Sequence, residues 1–356
     1  MSDILFLVQL SPPVHGASIM NQRIIDIVKE DGGFSYDVIK LNYAFDFKSM
    51  HSPSYTKVAF ALKVYLKLLC NLVFRRPRFI YIAFAPFGLG FYRDFIISMI
   101  SKALGCKVKL HLHGTGLILT KSSVKIWLLK KLFSSCDLIL LSKSLYNDVS
   151  PFVGLDRVSY VSNSVDTPDI CEQRLDEIVG FLYVANLDER KGVLKAVEVF
   201  SEYLKLNKYA TLSIVGADTV SMTKSKLLQI ITSDYPNTID KINILGALYG
   251  KEKQNAYESA NIFIYPTEHD AAPLVVLEAL SYGLPVVCSN QGALNDMITN
   301  GSDGFIIDEF GSKAYLESIE IITSSYAVFS ASARSAHLKR DSITVLSKKI
   351  KVLFCE

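Results

Sequence analysis

The chain alternates short apolar runs with longer stretches in which apolar positions recur at helical spacing. Runs rich in Ile, Leu, Val and Phe at 4–9, 36–41, 79–84, 107–111, 138–142 and 157–161 predict strands. Several are almost continuously apolar, as strands buried on both faces are. Between them, segments such as 18–30 and 124–133 carry helical periodicity. The pattern then restarts with a strand at 180–184, a helix at 193–205 and strands at 211–215, 242–245, 262–265 and 286–289. Beyond Ser312 the chain reads as helix. Strand–helix alternation, twice over, predicts an α/β protein of two Rossmann-like, doubly wound parallel-sheet domains. The polar stretch 167–177, with Pro168, reads as the linker. The expected division is 1–166, 178–330 and a helical tail at 331–356. Ligands of open parallel sheets bind beyond the carboxyl ends of the strands. Two such domains facing across a cleft suit a reaction between two large substrates, and Gly192 and Gly216 are expected at strand-to-loop junctions near a phosphate.

Segment 58–78 stands apart. It is rich in Leu, Val and Phe, and places Lys63, Lys67, Asn71 and Arg75 at successive i+4 positions, followed by Arg76 and Arg78. A core helix with a solvated stripe and an interfacial helix on anionic lipid both fit this pattern.

The length of 356 residues suits two domains. Mean hydropathy of +0.27 suggests large buried sheets, a membrane surface, or both. The most apolar stretch, 79–100, is interrupted by Pro86, Gly88, Gly90, Arg93 and Asp94, whereas a spanning helix needs about 20 predominantly apolar residues. The first residues show no basic region or cleavage site, so a cytoplasmic location is expected. The six cysteines are scattered without zinc spacing and read as reduced structural thiols. Net charge is uneven. Residues 1–165 hold 20 Lys and Arg against 10 Asp and Glu, a balance of +10, and the remainder carries −7. No recognition motif points to nucleic acid. An anionic membrane surface or a pyrophosphate-bearing acceptor fits the basic half as well.

The sharpest chemistry lies in 264–285, IYPTEHDAAPLVVLEALSYGLP. A helix opening near 272–274 leaves the N–H groups of Leu274 and Val275 free to bind phosphate. Glu278, a turn inside, can accept both hydroxyls of a ribose, and Asp270 those of a sugar. The segment resembles the signature of glycosyltransferase family 4, P-[ST]-x-x-E-x(7)-E followed by Gly-x-Pro. Pro266, Thr267, Asp270, Glu278, Gly283 and Pro285 stand in register. Asp270 replaces the usual Glu, and Glu268 is a weaker candidate two residues away. The stretch 184–192, VANLDERKG, is similar to the family's G-R-L-x(4)-K-G. Lys191 and Gly192 match, Asn186 stands at the Arg position, and the adjacent Arg190 is a candidate second charge. Gly16, after the first strand, fits the family's phosphate-approaching loop, with His15 where a first Gly is common. His113, in KLHLHGTG, fits the family's His near the donor sugar, while His111 is expected on the opposite side of the strand or in the core. Asn163–Asp166, NSVD, resembles the N-G-V-D turn closing the first domain.

The resemblance implies a GT-B fold and a retaining transferase that moves a sugar from a nucleotide-sugar to an acceptor. Lys191, Asp270 and His113 are its implied catalytic residues. Gly16, Asn186, Arg190, Leu274, Val275 and Glu278 are its implied donor contacts. No metal or other cofactor is implied, and neither a D-x-D triplet nor a ligand cluster is present in the sequence. The base pocket is placed near 246–249, with a UDP-sugar expected ahead of a GDP-sugar. The acceptor is expected to be carbohydrate or a lipid-linked oligosaccharide of bacterial surface-polysaccharide synthesis, met at the inner face of the plasma membrane. The alternative is a nucleotide-sugar-binding protein of the same fold with impaired catalysis, favoured only by Asp270 and Asn186. A dehydrogenase is excluded, because its G-x-G-x-x-G is missing after the first strand.

Overall fold

The computed structural model describes residues 3–41, 55–169, 178–308 and 311–355. The chain divides into two compact units, Met1–Asn163 with Leu346–Glu356, and Ser164–Val345. The boundary therefore falls three residues before the expected end of the first domain. Residues 167–169 of the expected linker belong to the second unit, and 170–177 lie outside the described residues.

The first unit runs β1 (Ile4–Val8), α1 (Gly16–Asp31), β2 (Tyr36–Lys40), α2 (Tyr55–Cys70), β3 (Phe79–Phe84), α3 (Gly88–Ala103), β4 (Lys107–Leu112), α4 (Ser123–Phe133), β5 (Asp137–Leu140), α5 (Tyr146–Val149) and β6 (Val158–Tyr160). Its sheet is parallel throughout, in the order β2-β1-β3-β4-β5-β6. The order reverses between β1 and β3, as in doubly wound folds. Because side chains alternate across a strand, each strand feeds two cores. Leu5, Leu7, Ile80, Ile82, Val108 and Leu110 face one way, into a core completed by Val64, Leu68 and Leu72 from α2 and its end, Phe91 from α3, and Leu129 and Leu132 from α4. These three helices therefore lie on one face of the sheet. Phe6, Phe79 and Tyr81 face the other way, around the ring of Phe354, with centroids 5.6–6.4 Å apart. Phe354 lies in the last helix, α13 (Ile343–Cys355). The expected tail at 331–356 is not separate, because the final helix returns to close the first sheet.

The 58–78 segment is not one helix. It ends α2 at Cys70, forms one π-turn at Asn71–Arg75, and leaves through Arg76 in a left-handed conformation. Its polar stripe is divided. Lys63 and Lys67 are exposed, Asn71 donates to the Lys67 carbonyl at 2.8 Å, and Arg75 pairs with Asp37.

The second unit runs β7 (Val179–Val184), α6 (Val193–Leu206), β8 (Ala210–Val215), α7 (Lys224–Asp234), β9 (Ile242–Gly246), α8 (Gly250–Glu258), β10 (Ile262–Tyr265), α9 (Leu274–Ser281), β11 (Val286–Ser289), α10 (Leu294–Met297), β12 (Gly304–Ile307), α11 (Ser312–Ser324) and α12 (Tyr326–Ala336). The parallel order is β12-β11-β10-β7-β8-β9, and it reverses between β7 and β10. The loops that leave those two strands carry most of the motif residues.

Candidate active site

The loop after β7 and the loop after β10 are fastened together by backbone. The Glu268 amide donates to the Arg190 carbonyl at 2.9 Å. Gly192 turns with φ +81° directly against the Pro266 carbonyl, which a β-carbon would approach to 1.9 Å. Only glycine permits both the turn and the contact. Gly192 opens α6 rather than ending a strand, whereas Gly216 directly follows β8.

This fastening brings Lys191 to Asp270. The Lys191 ammonium donates to Asp270 Oδ2 at 2.6 Å and to the His269 carbonyl at 3.0 Å. The buried Tyr265 hydroxyl donates to the same Oδ2 at 2.6 Å, and the Ala271 amide donates to Oδ1 at 2.9 Å. Burial, then the Asp270 charge, pushes the Tyr265 phenol well above its ordinary range, so it stays a proton donor to the carboxylate. Asp270 is not the cap of α9, a position held by Pro273. Leu274 and Val275 are the first two residues of that helix, where amides have no carbonyl one turn earlier.

Glu278 lies just over one turn into α9. Lys253 of α8 reaches both its oxygens, at 2.8 and 2.7 Å, and the buried Tyr257 hydroxyl donates to Oε2 at 2.7 Å. Asn186 is exposed, and its carbonyl accepts from the Asp188 amide at 2.7 Å. Arg190 is exposed and turns to Asp188, at 3.4 Å. Glu268 is exposed. Gly283 turns with φ +73° after α9, with Pro285 leading into β11. Of the base-pocket residues, Gly246 accepts from the Gly216 amide at 2.8 Å and Tyr249 is exposed.

A second cluster belongs to the first unit. His15 caps α1 reciprocally with Ser18: its Nδ1 accepts from the Ser18 amide at 3.2 Å, and its own amide donates to Ser18 Oγ at 3.0 Å. Gly16 is the first, exposed residue of α1, and no left-handed turn is required of it. His111 is fully buried beside the Tyr81 hydroxyl, 2.5 Å from Nδ1. It lies in the core but on the same side as His113, since the two rings are 4.1 Å apart. Positions two apart on a strand share a face, so the opposite-side expectation fails. Burial, then the charge of neighbouring His15, lowers the half-buried His113 to about 4. The loop after His113 is held by Asp148, which accepts from the amides of Gly116, Leu117 and Ile118 at 3.0–3.1 Å.

Lys253, Tyr257, Tyr265 and Asp148 were not signalled by the sequence. Their partners are 5 to 32 residues away and meet them only through packing. Among the described residues, no group of three or more His, Cys, Asp and Glu is placed to hold a metal ion. Cys70, Cys106, Cys136, Cys288 and Cys355 are unpaired thiols, and Cys171 lies outside the described residues.

Comparison with known proteins bears on this geometry. Residues 176–335 match the family model of glycosyl transferases group 1. Among curated relatives, sulfoquinovosyl transferase SQD2 of Arabidopsis thaliana is 30% identical over 32% of this chain and 21% of its own length. The capsular polysaccharide biosynthesis glycosyltransferase CapM of Staphylococcus aureus is 25% identical over 39% of this chain and 35% of its own. The chain thus spans about a third or less of these relatives' length. Among solved structures, a glycosyltransferase from Rickettsia africae is 16% identical, with a TM-score of 0.77 over 99% of this chain and 97% of that one. Anabaena HepE in complex with UDP is 14% identical, with a TM-score of 0.73 over 99% of each chain. The fold is GT-B, with two Rossmann-like α/β units.

Proposed function

We propose that this protein is a nucleotide-sugar-dependent glycosyltransferase of family 4 that retains anomeric configuration. The observation that carries the reading is the convergence of Lys191, Asp270 and the first turn of α9 at the point where the second sheet reverses its order. Open parallel sheets bind ligands at such points. The donor diphosphate is assigned to the Leu274 and Val275 amides and to the Lys191 ammonium, which oppose the charge growing on the leaving phosphate. Preorganised donors of this kind contribute on the order of 3 kcal/mol each. Asp270, steadied by Tyr265, takes hydroxyls of the sugar, and Glu278 those of the ribose. The phosphate oxygen released by bond breaking takes the acceptor's proton, and this charge balance needs no metal. Gly16 and His113 keep the phosphate- and sugar-contacting roles that the resemblance implies, with His113 as a neutral imidazole. Asn186 and Arg190 are lesser donor contacts.

The donor is a UDP-sugar, a reading supported by the UDP bound in the HepE structure. The acceptor is a lipid-linked oligosaccharide of surface-polysaccharide synthesis, supported by the likeness to CapM. The protein works on the inner face of the plasma membrane. Attachment is read as peripheral and is assigned to the basic, apolar face of the first unit; among the described residues no helix is long and apolar enough to cross a membrane. The test is nucleoside-diphosphate release from UDP-, GDP- and ADP-sugars with membrane lipid extract as acceptor. Release from a UDP-sugar that depends on the extract and is lost in Lys191→Ala supports the reading. UDP binding without release from any donor overturns it.

A further inference from the structure

The three helices that cover one face of the first sheet each bury one stripe and expose a second. On α2, Val64 and Leu68 pack on the sheet, while Leu62, Leu66 and Leu69 face out. On α3, Phe91 and Ile97 pack inward, while Leu89, Tyr92 and Ile96 face out. On α4, Leu129 and Leu132 pack inward, while Val124 and Trp127 face out. Leu89 is 87% exposed and Trp127, the single tryptophan, 64%. Single exposed apolar residues are ordinary, but repeated stripes on neighbouring helices mark an interaction surface. The stripes adjoin. The Lys125 ammonium of α4 sits 4.4 Å from the Phe87 ring centroid at the start of α3 and 5.3 Å from that of Phe91. Leu119, exposed in the turn just before α4, extends the patch.

Charge identifies the occupant. Residues 58–133 hold 13 Lys and Arg and one carboxylate, a balance of +12. The carboxylate is Asp94, which is buried and bonded to Arg93 at 2.7 Å. Lys121, Lys130 and Lys131 are exposed around the α4 stripe. A second copy of this face would meet like charge. A nucleic acid would satisfy the lysines but offers the leucines no apolar phase. An anionic bilayer offers both, and a Trp beside Lys is the pairing expected at the boundary between headgroups and acyl chains.

We infer that the outer face of α2, α3 and α4 docks on an anionic lipid surface, with Leu89 and Trp127 entering the acyl boundary and Lys121, Lys130 and Lys131 meeting lipid phosphates. This deepens the membrane part of the proposed function and rests on it. The surface lies next to the His113 loop, since Leu119 follows His113 by six residues.

The test uses the full chain with vesicles of phosphatidylcholine alone or mixed with an equal part of phosphatidylglycerol. Expected are cosedimentation with the mixed vesicles only, a blue shift of Trp127 emission, and quenching by brominated acyl chains. Leu66→Glu with Leu89→Glu should cut partitioning at least tenfold. Lys130→Gln with Lys131→Gln should cut it on the order of twentyfold at low salt, at about fivefold per lysine. All four positions are exposed, and circular dichroism checks that the variants fold. Protein left in the supernatant at low salt overturns the inference. So does binding that depends on the lysines but leaves Trp127 emission unmoved, or the same Trp127 shift with duplex DNA in place of vesicles. UDP binding, measured on the same samples, separates the two readings. Vesicle binding without UDP binding sinks the UDP-sugar reading, and UDP binding without vesicle binding sinks the docking surface.

Discussion

The Lys191 ammonium lies 2.6 Å from Asp270 Oδ2, although 79 residues separate them. Both are mostly shielded, at 29% and 18% side-chain exposure, yet neither is sealed from solvent. A pair at that depth adds little to folding stability, about 1 kcal/mol at most. Its placement at the start of α9 is better explained by a ligand than by the fold. Lys191→Ala is therefore expected to lower kcat by about 10²–10³ while leaving the thermal midpoint nearly unchanged. Nucleoside-diphosphate release and thermal denaturation on the same preparations check this. A large fall in the midpoint would make the pair structural.

Tyr265→Phe tests how Asp270 is aimed. The hydroxyl is buried and donates to the carboxylate oxygen that Lys191 also uses, with the Thr267 side chain as a second partner. Its loss leaves Asp270 with the ammonium and the Ala271 amide. Asp270 should then be less fixed, with kcat down about tenfold and UDP affinity held. Equal losses in both would show that Tyr265 supports the whole pocket instead.

Gly192→Ala should act on stability first. The new β-carbon would sit 1.9 Å from the Pro266 carbonyl oxygen at a φ of +81°. Strain and displacement together are expected to cost about 3 kcal/mol or more. The urea midpoint should fall with its slope unchanged. An unchanged midpoint would mean that the two loops part easily.

Much of this was legible in sequence because strands buried on both faces write themselves as apolar runs. Ile262–Tyr265 and Val286–Ser289 were read to the residue. The strand Gly304–Ile307 was missed, being four residues long, opened by glycine and half-buried at the sheet edge. Helix α3 was not named from sequence, where Pro86, Gly88 and Gly90 counted only against a membrane-spanning helix. In the fold they shape its entry, where Gly90 packs so closely on Ala85 that a β-carbon would lie 2.8 Å from its methyl. The final helix was legible as a helix, but nothing in its periodicity says which sheet Phe354 will close. The site divides in the same way. Lys191, Asp270 and Glu278 sit at motif spacings, whereas Lys253 is one lysine among many until α8 packs against α9.

Lys253→Met probes that last contact. Lys253 and Tyr257 hold both oxygens of Glu278. Without the ammonium the carboxylate keeps the Tyr257 hydroxyl on one oxygen but is less firmly fixed. The expected result is a rise of about tenfold in KM for the nucleotide-sugar with kcat little changed, the pattern of lost uniform binding. Glu278→Gln should weaken binding further. If kcat falls instead, Lys253 acts in the transition state.

The histidines set an acid limit on stability. Burial lowers both His113 and His337 to about 4, with His15 and Arg334 respectively adding to the effect. Unfolded, each would titrate near 6.5. Between about 4 and 6.5 the unfolded chain therefore binds more protons than the folded one, and stability rises with pH across that window. Stability should be at its full value above about pH 6.5, decline as pH falls, and level off for these groups below about pH 4. Urea midpoints taken across this range check the slope. His113→Gln should flatten it, because the substitution removes one titrating group while keeping a polar side chain in place. An unchanged slope would show that other groups control acid unfolding, and that His113 takes up its proton in the folded protein near the ordinary value.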